Sequence, residues 1–532
     1  MAMAATAGLW AEVPVRLDWA TVAAQCSLAG EQARAFLVVP AVRLLVLLSL
    51  AMTVMILLEK LFVAAVCYGA KAFGHRPESR YQWRPITASA CKTDGNDEED
   101  SIVVVGSGSG SAAFPVVLVQ IPMYNEREVY KVSIGAACAL EWPSDRMVIQ
   151  VLDDSTDPVV KELVKTECHR WKGKGVNIRY EVRGNRKGYK AGALKQGLMC
   201  DYVRECEFIA MFDADFQPES DFLLQTIPFL VHNPNIALVQ TRWKFVNSDK
   251  CLLTRFQEMS LDYHFKFEQE AGSIVYSFFG FNGTAGVWRI SAINDAGGWE
   301  DRTTVEDMDL AVRTSLLGWK FVYVGAVKKV SFWSKLHLLY DFFFVGKIAA
   351  HTVTFIYYCF AIPVSVFFPE IQIPLWGVVY VPTVITLCKA LGSPSSFHLV
   401  ILWVLFDNVM SLHRIKATIT GLLDTRRVNE WVVTEKLGDA NKTEPAMEGL
   451  DDVQVIDVEL STPLVPKLEK RRTQLWDKYN CSEIFVGTFI IICGCYDVLY
   501  AKKGYYIYLF IQGLAFLVIG FEYIGTRPPS TD

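Results

Sequence analysis

Among the 13 cysteines no two form a Cys-x-x-Cys pair, and their scatter excludes a zinc ribbon or a disulfide framework; they read as buried or membrane-embedded thiols. Positive charge is not in excess either. Lys and Arg number 52 against 57 Asp and Glu, and the net charge of −5 argues against nucleic acid as the main ligand. A dinucleotide-binding glycine loop is also missing. Gly106 to Gly110 spells GSGSG, but no amphipathic helix opens behind it, so it reads as a flexible linker following the acidic solvated loop Asp94 to Asp100.

Apolar sequence, in contrast, is plentiful at 52% and unevenly spread. The block Pro40 to Cys67 is long enough to cross a bilayer, which takes roughly 20 apolar residues. It starts too far in and runs too long for a cleaved signal peptide, so it predicts an anchor. Further blocks (Leu338 to Phe368, Trp376 to Leu391, Phe397 to Leu412, Ile484 to Tyr500, Tyr505 to Tyr523) include interfacial or re-entrant candidates; four or five membrane helices are expected. The expected division is an N-terminal segment 1–35, an anchor 36–67, a linker 68–113, a soluble domain 114–330, membrane or interfacial helices 331–412, a polar loop 413–481 and two membrane helices in 482–524. The basic residues after the first anchor (Lys71, Arg76, Arg80, Arg84) place the soluble domain on the cytosolic side by the positive-inside tendency.

Within that domain strand and helix patterns alternate. FPVVLVQIP, RMVIQVLDD, VNIRYEVR, FIAMFDADF and IALVQTRW read as strands. Helices are expected through MYNEREVYKVSIGAAC, with Val129, Val132 and Ala136 on one face, through DPVVKELVKTECHRW, and through KAGALKQGLMCDYV. The repetition predicts an α/β domain with a mostly parallel sheet covered on both faces. Ligands of such sheets lie beyond the carboxyl ends of the strands.

Acids gather at those ends. Asp153 and Asp154 follow the second strand, Asp213 and Asp215 end FIAMFDADF, and Glu306 and Asp307 open the helix of TVEDMDL. Any one group is explained equally well as a helix cap; three in one domain are not. If the strand runs on through Asp213 and Asp215, their side chains share a face. Two like charges side by side call for a positive charge between them or a proton on one, and a divalent cation is the simplest answer. Mg²⁺ or Mn²⁺ is normally held by one or two carboxylates while a substrate diphosphate supplies other ligands. A further carboxylate away from the metal, Asp307, suits proton removal from an attacking sugar hydroxyl. GNRKGYKAGAL brings Arg186, Lys187 and Lys190 beside glycines that permit close phosphate approach, although a solvated basic loop is the alternative. FNGTAGVWR supplies a tight turn at Gly283, Thr284 and Gly286 for a sugar pocket, with Phe278, Phe279, Phe281 and Trp288 as stacking or core aromatics. Asn282 also begins an Asn-Gly-Thr sequon, and the pocket turn is the preferred role.

IPMYNE, VLDDSTD, RKGYKAGAL, MFDADF, QTRWKF, FNGTAGVWR, TVEDMDL and NEWVVTEKLG together resemble a plant cellulose-synthase-like A protein, from the processive glycosyltransferases of family two. The zinc-binding N-terminus of cellulose synthase itself is not seen. The resemblance implies a GT-A (Rossmann-like) domain inserted between transmembrane helices of a multi-pass Golgi membrane protein. It implies extension of β-1,4-mannan or glucomannan from GDP-mannose, with GDP-glucose as second donor, and a homo-oligomer or accessory protein as partner. On matching positions, Asp154 belongs to the first family aspartate motif and counts with Asp307 as catalytic, with Asp153 beside it near the nucleotide. Asp213 and Asp215 hold metal and diphosphate, Asp307 is the base, and Glu126, Lys187, Lys190, Gly283, Thr284 and Glu306 bind substrate. One departure stands out. The family's Gln-x-x-Arg-Trp motif is expected after the Glu-Asp pair, but the chain passes from Gly325 through Ala326 straight into VKKVSFW. The lookalike Gln240 to Trp243 lies upstream of Asp307, with the wrong spacing. A β-1,4-glucan synthase and a catalytically impaired or regulatory isoform are the alternatives.

Overall fold

The computed structural model describes residues 19–73, 81–86, 114–248, 251–302, 305–324, 345, 348–423, 480–521 and 523. The first long apolar block folds as a helix, α1 (Val39–Ala72), which continues a helical run from Trp19 through the π-helical stretch Arg34–Val38; that widened turn lies just before Pro40, whose ring and missing N–H a regular α-helix interior would not accommodate. Its 34 residues span about 50 Å, more than the ~30 Å of a bilayer core. The surplus turns meet the α/β domain: the Cys67 thiol donates to the Phe267 carbonyl (3.5 Å), and Lys71 pairs with Glu270 (3.5 Å).

The sheet has seven strands in the order β3-β2-β1-β4-β6-β5-β7: β1 (Val117–Met123), β2 (Met147–Asp153), β3 (Ile178–Val182), β4 (Phe208–Met211), β5 (Ile236–Gln240), β6 (Gly286–Arg289) and β7 (Lys320–Tyr323). All neighbours run parallel except β6, which is antiparallel to both β4 and β5. Continuous apolar strands follow from burial on both faces. Val117, Val119 and Ile121 pack toward α2 (Tyr130–Cys138), α3 (Pro158–Gly173) and α5 (Phe222–His232). Leu118 and Ile209 face α4 (Tyr189–Leu198) and α7 (Glu306–Leu316). Helix α3 starts where Asp157 accepts from the Val159 N–H (2.8 Å) with Pro158 behind it.

Two local expectations are corrected. The strand of FIAMFDADF stops at Met211, and the Phe216 N–H closes a turn on the Asp213 carbonyl (2.9 Å), so Asp213 and Asp215 sit on a turn and not on one strand face. In α2 the buried positions are Ser133, Ile134 and Ala137, while Val132 is exposed. The helix begins only at Tyr130 because Asn125 takes a left-handed conformation (φ 52°) and keeps the preceding residues in a turn.

Among the described residues three helices are long and apolar enough to cross a membrane: Val22–Ala72, Pro394–Ile419 and Cys481–Ala501. Ala350–Ser365, Trp376–Ala390 and Tyr506–Gly520 are apolar but shorter, about 22–24 Å at 1.5 Å per residue, so length alone supports three spans where composition predicted four or five. The chain leaves β1 for β2 on one side and returns to β4 on the other. That reversal places a crevice at the carboxyl ends of β1, β2 and β4.

Candidate active site

At the β2 rim both carboxylates are engaged. Asp153 accepts from the Tyr180 hydroxyl (2.7 Å) and the Ser155 N–H (2.9 Å). Asp154 accepts from Arg183 Nε (2.7 Å) and Nη2 on its two oxygens, and the two side chains are only 7% and 8% exposed. Arg183 also donates to the carbonyls of Lys187 and Tyr189 (2.9 Å each), so it fixes the RKGYK loop against the strand end. Asn125 clips the β1 loop to the β2 loop: its Oδ1 accepts from the N–H groups of Thr156 (2.9 Å) and Asp157 (3.1 Å). Arg186, read as a phosphate ligand, lies over the Tyr124 ring, 3.3 Å from its centroid, and closes IPMYNE onto the same loop. Lys187 is exposed, and Glu126 is buried in the loop that follows β1.

At the β4 rim the remaining groups converge. Lys190 Nζ donates to Asp213 Oδ1 (2.5 Å) and to the Gly283 carbonyl (3.1 Å), and lies 3.9 Å from Glu306 Oε1. The Asp213 N–H donates to Thr284 Oγ1 (3.1 Å), which joins the metal-candidate turn to the glycine turn. Gly283 has φ +74°, and a Cβ there would come within 3.1 Å of both Asp307 Oδ2 and Lys190 Nζ. Glycine is needed for conformation and for space. Asp215 is exposed, two residues beyond Asp213.

Burial pushes the Asp307 carboxyl above its ordinary range, aided by Asp213 and opposed by Lys190 and the Met308 N–H. Glu306 is raised in the same way, by burial and then by the Asp307 and Asp213 charges against Lys190. Burial works against the Lys190 ammonium, but Asp213, Glu306 and Asp307 outweigh it and hold its pKa above the usual value. A half-buried cation thus already sits among three carboxylates.

Among the described residues no three His, Cys, Asp or Glu side chains form a ready metal cage. Asp213 and Asp215 offer oxygen donors only, which suits a hard cation that keeps most of its ligands from water and a bound diphosphate. Phe278, Phe279, Phe281 and Trp288 are all buried core, at most 3% exposed, so they supply no stacking floor. Gln240, in the QTRW lookalike, donates to the Thr284 (3.0 Å) and Ala285 (3.1 Å) carbonyls, and Arg242 pairs with Asp262; this stretch braces the glycine turn. The junction at Gly325 and the motif NEWVVTEKLG lie outside the described residues.

Residues 118–285 match "Glycosyl transferase family 2", and residues 208–373 match "Glycosyl transferase family group 2". The chain is 71% identical to "Probable glucomannan 4-beta-mannosyltransferase 11" of Oryza sativa subsp. japonica, covering 98% of both chains. It is 50% identical to "Glucomannan 4-beta-mannosyltransferase 9" of Arabidopsis thaliana, covering 95% of this chain and 96% of that one. The chain belongs to the cellulose-synthase-like A family of glucomannan 4-beta-mannosyltransferases.

Solved structures with similar folds include a mannosyltransferase from Pyrobaculum calidifontis in complex with GDP-Man and Mn2+, at 14% identity and TM-score 0.38, covering 71% of this chain and 99% of that one. By its family model and its relatives the cellulose-synthase-like A chain is a glycosyltransferase, and it has a GT-A-like mixed sheet and, among the described residues, apolar helices long enough for a membrane. At its rim the sequence motifs do not single out Arg183, and they include Asn125 and Gln240 without showing what these two hold. Each acts through contacts to backbone or to a motif residue, which no spacing rule encodes.

Proposed function

We propose that this chain transfers mannose from GDP-mannose, with GDP-glucose as second donor, to the end of a growing β-1,4-mannan or glucomannan chain, processively and with inversion. The observation that carries the reading is the meeting of Asp213, Lys190, Glu306, Asp307 and Gly283 at one strand rim. Asp307 takes the proton from the attacking hydroxyl; its raised pKa brings it nearer the working pH, where a base is most effective. Lys190, with Lys187 at the loop surface, meets the diphosphate. Asp154 acts by fixing that loop through Arg183, and Asp153 by holding the strand end, while Glu126 meets the substrate from the loop after β1. Gly283 and Thr284 bound the sugar, and Glu306 keeps Lys190 charged. Asp213 and Asp215 would hold Mg²⁺ or Mn²⁺, which when bound offsets negative charge on the leaving group. The setting is a Golgi membrane, with the growing glycan and a second copy or accessory protein as partners.

A second reading has its own support. The alignment to the rice relative runs over 561 residues, longer than this 532-residue chain, so that relative carries sequence absent here. Loss of the Gln-x-x-Arg-Trp segment at Gly325 would leave donor binding intact but take an arginine clamp from the leaving diphosphate and an aromatic floor from the acceptor. One missing electrostatic stabiliser costs on the order of 10²–10³ in rate. Microsomes containing this chain, given labelled GDP-mannose and Mg²⁺ or Mn²⁺, decide the matter. Mannanase-sensitive polymer supports the transferase reading. Donor binding without polymer, beside an active rice relative, supports the impaired form, and preference for GDP-glucose points to a glucan synthase.

A further inference from the structure

Lys60 sits on the apolar helix α1 and is buried, 6% exposed. A buried ammonium persists only when paired and hydrogen-bonded. Its partners are Glu59 on its own helix (3.0 Å), Glu268 from the catalytic domain (3.0 Å) and the face of Tyr263, whose centroid is 5.0 Å away. Glu268 passes the contact on: its second oxygen accepts from His264 Nδ1 at 2.9 Å. His264 Nε2 in turn lies 3.1 Å from Gln269 Nε2, a donor that is itself 3.1 Å from Asn282 Oδ1, and 3.3 Å from Asn282 Oδ1, so the ring reaches the turn through the Gln269 amide as well as by direct approach.

The orientation of Asn282 is determined from the other side as well. Gln269 Nε2 donates to the Gly280 carbonyl (3.0 Å), which can only accept, so the amide nitrogen of Gln269 must face that way. The same nitrogen lies 3.1 Å from Asn282, which therefore turns its oxygen toward it. The Asn282 amide nitrogen is buried and has no hydrogen-bond partner among the described residues. Asn282 is followed directly by Gly283, the residue whose carbonyl receives Lys190 and whose α-carbon faces Asp307.

We propose that Lys60 of the membrane helix is a positioning residue for the transfer site, acting through Glu268 and His264 to set Asn282 and the turn 281–286. The ion pair alone would simply moor the helix to the domain. What points further is that the Glu268 end of the mooring continues through His264 and Gln269 in polar contact to the turn that bounds Lys190 and Asp307. The linkage makes the geometry of the transfer site depend on the seating of α1, so displacement of the helix, for instance by a glycan moving beside it, is felt at the turn. The consequence for transfer rests on the reading of function given above; the linkage itself does not.

Hydrogen exchange on the full chain in lipid nanodiscs tests the linkage without requiring turnover. The Ala285 N–H is bonded to the Met211 carbonyl (2.9 Å) and reports on the turn. Lys60→Met is expected to raise exchange across 280–286 about 10-fold, with β1 and β2 unchanged. His264→Ala is expected to do the same, and Lys60→Met should add nothing in the His264→Ala background, as for two members of one chain of contacts. If the lone Lys60→Met chain does not accumulate, the pair Lys60→Met with Glu268→Gln removes both charges and carries the same comparison. Unchanged exchange at 280–286, an equal rise through the whole domain, or multiplying effects of Lys60→Met and His264→Ala would each overturn the proposal. GDP-mannose consumption, measured in parallel, should fall with the loosened turn. A wild-type chain that neither binds nor consumes GDP-mannose would sink the transferase reading while leaving the exchange result to judge the linkage.

Discussion

Arg183 is where a single side chain matters most at the β2 rim. It fills both oxygens of Asp154 and two loop carbonyls while almost dry. Arg183→Met leaves the Asp154 carboxylate buried without a partner, and breaking a buried pair from one side typically costs about 3–5 kcal/mol. Thermal unfolding of the solubilised chain should show that loss, and Arg183→Met with Asp154→Asn should regain part of it. Arg183→Lys should not rescue, because an ammonium cannot serve the carboxylate and two carbonyls in one plane. Asp307 makes a prediction about pH. Its carboxyl is raised by burial and held down by Lys190. A base acts only when deprotonated, so kcat/KM should fall as pH drops through that raised value, with an acid limb above the ordinary aspartate range. Lys190→Met removes the opposing charge and should shift the limb to still higher pH. Asp307→Asn should abolish the limb and lower kcat by on the order of 10²–10⁴, with GDP binding retained. A limb that stays in place in Lys190→Met would remove Asp307 from the role.

Strands and helices differ in how much of them could be read. β1, β2 and β5 were plain because burial on both faces leaves long apolar runs. β6 was not: GVWR has four residues, follows a glycine turn, and becomes a strand only because β4 and β5 flank it. The acids of FIAMFDADF were legible as a pair, but their turn depends on Thr284, 71 residues away, receiving the Asp213 N–H. Helix α4 shows a contact that no pattern announces. A Cβ on Gly197 would lie 2.6 Å from both Gln120 Nε2 and Gln150 Oε1, two amides that bond each other across β1 and β2 at 2.7 Å. Gly197→Ala must part the helix from the sheet, at about 1–3 kcal/mol for overpacking. Gly173→Ala, where nothing stands within 4 Å, should leave the unfolding temperature nearly unchanged. Equal effects of the two would show that α4 can yield.

Over the whole molecule the catalytic domain is tied to the membrane segments by polar clusters as well as apolar packing. One lies at α1, through Lys60. The other centres on Asp262, at the end of α6 (Leu252–Tyr263), which accepts from Lys266 Nζ (2.7 Å), the Ser393 hydroxyl (2.9 Å) and Arg242. Lys266 also donates to the Gly392 carbonyl (2.7 Å), so the cluster holds the loop between two apolar helices. This explains the QTRW lookalike: its arginine belongs to a cross-tie, not to an acceptor site. Burial alone would raise the Asp262 pKa, but the hydrogen bonds from Lys266 and Ser393 and the charges of Lys266 and Arg242 bring it below the ordinary value. A carboxyl whose folded pKa is depressed contributes stability that is fully present above its unfolded pKa and is lost as pH falls through the folded one. Exchange protection of the loop around Gly392 and Ser393 should therefore hold at neutral pH and decline only when acidification passes below the ordinary aspartate range. In Asp262→Asn the loop should be loosened already at neutral pH and respond little to further acid. If wild type and Asp262→Asn lose protection in parallel on acidification, another group governs the docking, and the tie at Asp262 is incidental.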